Sequence, residues 1–155
     1  MKRIFLNASQ NRDGKTASLA RITFKGLDYK TVNLVDFHID QIGQKSSRDE
    51  HQKVIEQIAH ADVLVIGTPV YWSDMTGYLK TFIDRLTDIV DEPLDSDQAP
   101  LKGADVYLIV QGIDPKDAIP GITTVVEHVC RRFFMNYKGL IRNQSEAKNV
   151  NATLK

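Results

Sequence analysis

A polar stretch, Ser9-Gln10-Asn11-Arg12-Asp13-Gly14-Lys15-Thr16, separates a short apolar run from a segment with helical periodicity. Where such a stretch opens a helix, it has the makings of a phosphate site. The first-turn amides lack partners inside the helix, and the positive end of the helix dipole faces the loop. Hydroxyls at Ser9, Thr16 and Ser18 add donors, and Arg12 or Lys15 offsets part of an anionic charge. Gly14, without a Cβ, lets the backbone come close to a ligand. The same residues also suit an ordinary polar turn in which Asp13 or Thr16 caps the helix. Gly14-Lys15-Thr16 matches the end of the P-loop of nucleoside triphosphatases. Ser9, however, stands where that motif has its first glycine, and Val63–Ile66 runs into Gly67-Thr68 rather than a metal-binding Asp, which disfavours a triphosphatase.

The second stretch that could do chemistry is Gly67-Thr68-Pro69-Val70-Tyr71-Trp72-Ser73-Asp74-Met75-Thr76-Gly77. Large aromatics in a loop are costly to leave in water. Tyr71 and Trp72 can cover a flat apolar ring such as isoalloxazine, with backbone groups meeting its polar edge. Packing of the two rings on neighbouring helices is the alternative. A third segment, Gln111 to Asp114, follows another apolar run and completes the set.

The elements that would position these loops are legible from the apolar pattern. Ile4–Leu6, Val63–Ile66 and Val106–Val110 are nearly continuous and rich in β-branched residues, as strands buried on both faces are. Thr31–Val35 alternates more and suits an edge strand, and Asn136–Ile141 is a weaker fifth. Helical spacing runs through Leu19, Ala20 and Ile22; through Val54, Ile55 and Ile58 in a helix starting after Ser46 or Ser47; and from Met75 to Val90. It returns from Ile122 to Phe134. Strands alternating with helices predict a parallel sheet with right-handed crossovers and helices on both faces. Ligands of such sheets sit outside the carboxyl ends of the strands, where the three loops lie. Asp91–Pro100 reads as a long loop, and Asn143–Lys155 as a polar tail in which a closing helix is absent or truncated.

The chain has 155 residues, a formal net charge of zero and 42% hydrophobic residues, which fits one globular domain. The charge balance argues against a nucleic-acid binder and against a strongly acidic electron carrier. Cys130 is the single cysteine, flanked by Val129, Phe133 and Phe134, and reads as a buried thiol in a protein of the reducing cytosol. The apolar run after Met1-Lys2-Arg3 is too short for a signal core or a membrane span, so a soluble, cytoplasmic protein is expected. His38, His51, His60 and His128 share no metal-ligand spacing, and His51 and His60 read as solvated. No metal is expected. Asp84-Arg85 reads as a surface or interface ion pair.

In combination, the motifs resemble the NADPH-dependent FMN reductase and iron–sulfur flavoprotein-like branch of the flavodoxin-like superfamily. The matching stretches are Ser9 with Gly14-x-Thr16, Thr68-Pro69-Val70-Tyr71-Trp72, Met75-Thr76-Gly77, Leu79 to Arg85, and Phe133-x(3)-Tyr137-x-Gly139, together about nine-tenths of the chain. Ala8-Ser9-Gln10-Asn11 departs from the Gly-Ser-Pro-Arg of many relatives, and the cysteine cluster of the iron–sulfur members is absent. The resemblance implies a flavodoxin-like three-layer α/β sandwich over residues 1–142, with a five-stranded parallel sheet in the order 2-1-3-4-5 and the polar tail 143–155 after it. It also implies an FMN-dependent NAD(P)H oxidoreductase that takes electrons from NADPH or NADH and passes them to a small acceptor such as a flavin or quinone. An electron carrier without nicotinamide activity is the alternative. The FMN phosphate would be held by Ser9, Gly14 and Thr16, with Arg12 and Lys15 as weaker candidates. The ring would lie against Pro69, Val70, Tyr71, Trp72 and Ser73, and its other edge would meet Gln111, Gly112 and Asp114. The flavin carries the chemistry, so no catalytic side chain is required. A homodimer is implied, in contact through the helix from Met75 and the loop from Asp91.

Overall fold

The three near-continuous apolar runs become the three inner strands of a single sheet. The computed structural model describes all residues, 1–155. Strand β1 (Arg3–Asn7) lies between β2 (Lys30–Asn33) and β3 (Val63–Pro69), and β4 (Asp105–Gln111) and β5 (Asn136–Ile141) continue beyond β3. All neighbours are parallel and the order is β2-β1-β3-β4-β5, as the sequence predicts. Helices α1 (Lys15–Thr23) and α5 (Gln144–Leu154) cover one face. Helices α2 (His51–Ile58), α3 (Gly77–Asp84) and α4 (Ile119–Arg132) cover the other.

The period of two along β1 sorts its side chains between two cores. Ile4 and Leu6 join the larger cluster with Val54, Leu79, Phe82 and Ile122, while Phe5 joins the smaller one with Ala17, Ala20 and Phe24. Cys130 is buried as expected, and burial pushes its thiol up to about 11, where it is not a nucleophile.

Five local expectations need correction. Residues 144–154 are not a bare tail but the helix α5, which buries Ala147 against the α1 face. Asn143 caps it by accepting from the Glu146 amide, and Glu146 returns a carboxylate to the Arg142 amide, a reciprocal capping pair. Asn151 then donates through Nδ2 to the Thr23 and Lys25 carbonyls, closing the end of α1. The long helix expected to Val90 ends at Asp84, and Arg85–Ile89 tighten into a 3-10 turn, a common way for a helix to finish. Helix α2 starts at His51 rather than after Ser46 or Ser47, because Asp40 takes the Ser46 amide and hydroxyl and Asp49 takes the Asp40 amide. His51 is 2% exposed, not solvated. Its Nε2 meets the Phe82 carbonyl at 3.2 Å, and burial holds its pKa below the ordinary histidine value.

Asp84-Arg85 is likewise not a surface pair. Asp84 faces Lys80 on the helix surface, whereas Arg85 is 2% exposed. The Arg85 guanidinium donates to both Asp49 oxygens at 2.6 and 2.9 Å, to Asp88 at 2.7 Å and to the Asp40 carbonyl at 2.7 Å. A planar fork with five donors meets this array better than an ammonium would. The same array anchors the segment between β2 and α2 to the end of α3.

Candidate functional site

Three loops leave the carboxyl edge of the sheet side by side, and hydrogen bonds bind them into one platform. At the end of β1, buried Asn7 accepts the Ser9 amide and donates to the Asn11 carbonyl and to Asn33 Oδ1. The Ser9 hydroxyl accepts the Asn11 amide at 3.0 Å, which rounds the turn. The Ala8 amide donates to the Gly67 carbonyl at 2.8 Å, and Thr76 Oγ1 donates to the Ala8 carbonyl at 2.7 Å. Thr76 also caps α3 by accepting from Leu79, and its own amide donates to Thr68 Oγ1. Val70 donates to the Gln111 carbonyl at 2.9 Å, so the β3 and β4 loops travel together.

Two glycines permit the close approaches. A Cβ on Gly67 would lie 2.6 Å from Thr16 Cγ2 and 2.7 Å from the Phe5 ring. A Cβ on Gly112 would lie 3.2 Å from Val70 Cβ.

The α1 end of this platform offers donors without acceptors. Gly14 is the N-cap, supplies no side-chain cap, and the first turn holds no acidic residue. The amides of Gly14, Lys15, Thr16 and Ala17 have no backbone acceptor in the chain. Ser9 and Thr16 are buried beside them. Arg12, by contrast, is engaged by Asp36, and its charge is compensated there. Lys15 reaches a separate cleft of about 350 Å³ shared with Gln111 and Arg142. This donor set, with no carboxylate in the first turn, fits a phosphate monoester such as that of FMN.

The β3 loop is built under strain. Tyr71 and Asp74 exchange backbone hydrogen bonds at 2.9 and 3.1 Å, with Trp72 at φ 52° and Ser73 at φ 59° between them. Two left-handed residues in a two-residue turn form a type I′ hairpin, which ordinarily takes Asn-Gly. Trp72 is 100% exposed and Tyr71 39%, so neither ring is packed away as a core residue. Pro69 lies in register with Gln111 at the end of the sheet. The amides of Val70 and Tyr71 are engaged, leaving those of Trp72, Ser73 and Gly112 without backbone partners. Asp114, also left-handed at φ 48°, starts the turn before α4.

Because a left-handed tryptophan costs about 1 kcal/mol or more and Trp72 makes no buried contact, Trp72→Gly is expected to raise stability by about 1 kcal/mol, or roughly 2–4 °C in Tm. The same variant is expected to bind FMN more weakly. Thermal melts by circular dichroism and an FMN titration check both halves.

Sequence reading did not find the second cleft at this edge, of about 600 Å³, lined by Gln10, Phe37, His38, Tyr71, Tyr78 and Thr81 among others. Nor did it find Asn7 or the Arg85 array. A polar residue closing an apolar strand was the available sign for Asn7.

A parallel sheet in this order, with helices on both faces and three joined loops at its carboxyl edge, defines the flavodoxin-like fold. Its backbone superposes on the Trp repressor binding protein of Bacillus subtilis with a TM-score of 0.77 over 96% of this chain and 99% of that one, at 25% identity. Residues 1–117 match the model of the family described as NADPH-dependent FMN reductase, and the chain belongs to that family. The sequence is 30% identical to YwqN of Bacillus subtilis, itself assigned by inference as an NAD(P)H-dependent FMN-containing oxidoreductase, over 91% of this chain and 83% of YwqN. It is 32% identical to an iron-sulfur flavoprotein of Archaeoglobus fulgidus over 55% of this chain and 48% of that protein. FMN and a nicotinamide donor are therefore the cofactors of its chemistry. No helix is long and apolar enough to cross a membrane.

Proposed function

We propose that the chain holds FMN at the joined β1, β3 and β4 loops and delivers electrons from NADPH or NADH to a small organic acceptor. The observation that carries this reading is the first turn of α1, with four donor amides, a glycine N-cap and no acidic residue. Bound there, FMN supplies the redox chemistry, exchanging two electrons with the nicotinamide and with the acceptor. The residues have simpler tasks. Gly14, Lys15 and Thr16 amides and the Ser9 and Thr16 hydroxyls grip the phosphate, and Lys15 offsets its charge. Pro69 to Ser73 and Gln111-Gly112 border the ring, whose polar edge is met by the free amides of Trp72, Ser73 and Gly112. Tyr71 and Trp72 form the shelf that excludes water from one side.

The purified protein is expected to be yellow after incubation with FMN, and to lose that colour on anaerobic addition of NADPH or NADH. A loaded protein that keeps its colour with both donors contradicts the enzymatic reading.

The same reading includes a cytoplasmic homodimer. Trp72 and Ile113 are 100% and 98% exposed, Tyr78 is 40% exposed on α3, and the three flank one edge of the sheet. Leu94 and Ala99 of the Asp91–Pro100 loop turn inward, so the contact is assigned to α3 and the β3 loop rather than to that segment. Sedimentation at micromolar concentration is expected to give twice the chain mass of 17.5 kDa, and Tyr78→Glu to give the monomer. A wild-type monomer with FMN bound contradicts the assembly.

A further inference from the structure

The pleat that sends Phe5 to the α1 face of the sheet sends Asn7 there as well, at the last position of β1 and just before the Ser9–Thr16 loop. Asn7 is fully buried, and a primary amide at that depth must have its polar atoms engaged. Asn7 engages them in three directions: Oδ1 accepts the Ser9 amide at 3.1 Å, and Nδ2 donates to the Asn11 carbonyl at 3.2 Å and to Asn33 Oδ1 at 2.9 Å. Asn33 is the register partner of Asn7 on β2, so the last of these contacts crosses between neighbouring strands. An acceptor and two donors on so short a side chain are the property of asparagine. An ionised aspartate has no proton to donate, and leucine, of similar volume, has no polar atom.

The turn held by this carboxamide contains a second buried group. Ser9 is 5% exposed, and its Oγ accepts the Asn11 amide at 3.0 Å, but its hydroxyl proton meets no acceptor in the chain. Asn7 grips both ends of that turn, the Ser9 amide and the Asn11 carbonyl. The backbone of Ser9 and, through Asn11, its side chain therefore take their position from one amide. Beside them lies the first turn of α1, with buried Thr16, no capping side chain and its leading amides free of backbone acceptors. A buried hydroxyl that keeps its proton, next to such a turn, is completed by an anionic oxygen.

We propose that Asn7 is the positioning residue of the phosphate site. Its carboxamide fixes the Ser9–Asn11 turn so that the Ser9 hydroxyl faces the same anion as the first-turn amides of α1, and β2 holds the carboxamide through Asn33. Asn7 itself does not touch the phosphate, because its oxygen and both its amide protons are engaged within the chain. This role presupposes that the α1 turn holds the FMN phosphate. Asparagine also keeps the position neutral. An aspartate here would turn a buried, charged oxygen toward the Asn11 carbonyl and Asn33 Oδ1, three acceptors with no proton between them.

The test is a fluorescence titration of wild-type, Asn7→Leu, Asn7→Asp and Asn33→Ala chains with FMN and with riboflavin, which has the ring without the phosphate. Circular dichroism verifies that each variant is folded. Asn7→Leu is expected to weaken FMN binding about 10- to 100-fold and to leave riboflavin binding within about twofold of wild type. Asn33→Ala, on a half-buried residue of the edge strand, removes one hydrogen bond and should weaken FMN alone by roughly three- to tenfold. Asn7→Asp supplies a readout that a merely structural role would not move. Wild-type affinity for FMN should fall as pH drops through about 6, where a phosphate monoester takes its second proton. The affinity of Asn7→Asp should rise over the same interval, because a buried carboxyl takes up its proton early, loses its charge and regains a donor. If Asn7→Leu does not fold, Asn33→Ala and Asn7→Asp carry the same comparison. Equal losses for FMN and riboflavin, no loss for either, or parallel pH profiles for wild type and Asn7→Asp overturn the role of Asn7. A wild type that prefers FMN, with variants that keep the preference, retains the phosphate site and overturns only the role of Asn7. A wild type that binds both flavins equally removes the phosphate reading itself.

Discussion

Arg85→Ala is expected to lower the free energy of unfolding by about 3–5 kcal/mol, the range for removing one partner of a buried ion pair. The loss is large because Arg85 is 2% exposed and its side chain is the shared donor for Asp49, Asp88 and the Asp40 carbonyl. Asp49 would be left buried and charged, its side chain 6% exposed. A domain of this kind has about 5–15 kcal/mol in total, so the variant should sit near its folding threshold. Arg85→Met combined with Asp49→Leu should recover most of the loss, since apolar replacement of a whole buried pair is often neutral. Urea unfolding of the three proteins measures both values.

The pH dependence has a definite sign. The Arg85 hydrogen bonds hold the Asp49 carboxyl well below the usual carboxylate range. A depressed carboxylate contributes stability that is complete above its unfolded pKa, about 4, and is lost as pH falls toward the folded value. The wild type should therefore lose stability as pH falls below about 4. The gap between wild type and Arg85→Ala should shrink over the same interval, because the unpaired Asp49 of the variant is relieved by protonation. A gap that is constant from pH 6 to pH 3 (values chosen to bracket the ordinary carboxylate pKa of roughly 4) would place the effect outside this ion pair.

The second large effect is expected at Gly67. Gly67→Ala puts a methyl group 2.6 Å from Thr16 Cγ2 and 2.7 Å from the Phe5 ring, and both neighbours are 1% exposed. Overpacking of a filled core typically costs about 1–3 kcal/mol. The functional loss should be the more diagnostic half. Thr16 is the residue pushed, and it opens the turn assigned to the phosphate. Displacing a hydrogen bond to a charged group costs about 1.5–3 kcal/mol, or roughly 10- to 100-fold in affinity. FMN fluorescence titration beside thermal melts separates the two. A destabilised variant with unchanged FMN affinity would detach Thr16 from the site.

The sheet was legible because its central strands are buried on both faces and hence written as unbroken apolar runs at Ile4–Leu6, Val63–Ile66 and Val106–Val110. The loops at its carboxyl edge followed from the alternation of elements, and the Thr68–Trp72 motif tied them to a family. What escaped was carried by polar side chains acting at long range in sequence. Arg85 pairs with Asp49 across 36 positions, and neither residue's neighbours betray it. α5 escaped because its apolar stripe is only Ala147, Val150 and Leu154, and because much of its docking is done by Asn151 through hydrogen bonds to α1. His51 escaped because a histidine on a helix flank is ordinarily wet, whereas here α3 supplies a carbonyl and a ring to cover it. Trp72 was identified as a candidate from its type, but its left-handed, fully exposed setting depends on the Tyr71–Asp74 bridge, which residue types alone do not encode.

The account stands on the grip of a phosphate by the first turn of α1, and comparison of FMN with riboflavin tests it most directly. The two share the ring and differ in the phosphate. Two charge-assisted hydrogen bonds at about 1.5–3 kcal/mol each predict that FMN binds at least roughly 100-fold more tightly than riboflavin, with one FMN per chain at saturation. Equal affinity for the two flavins, or no uptake of either, would contradict it.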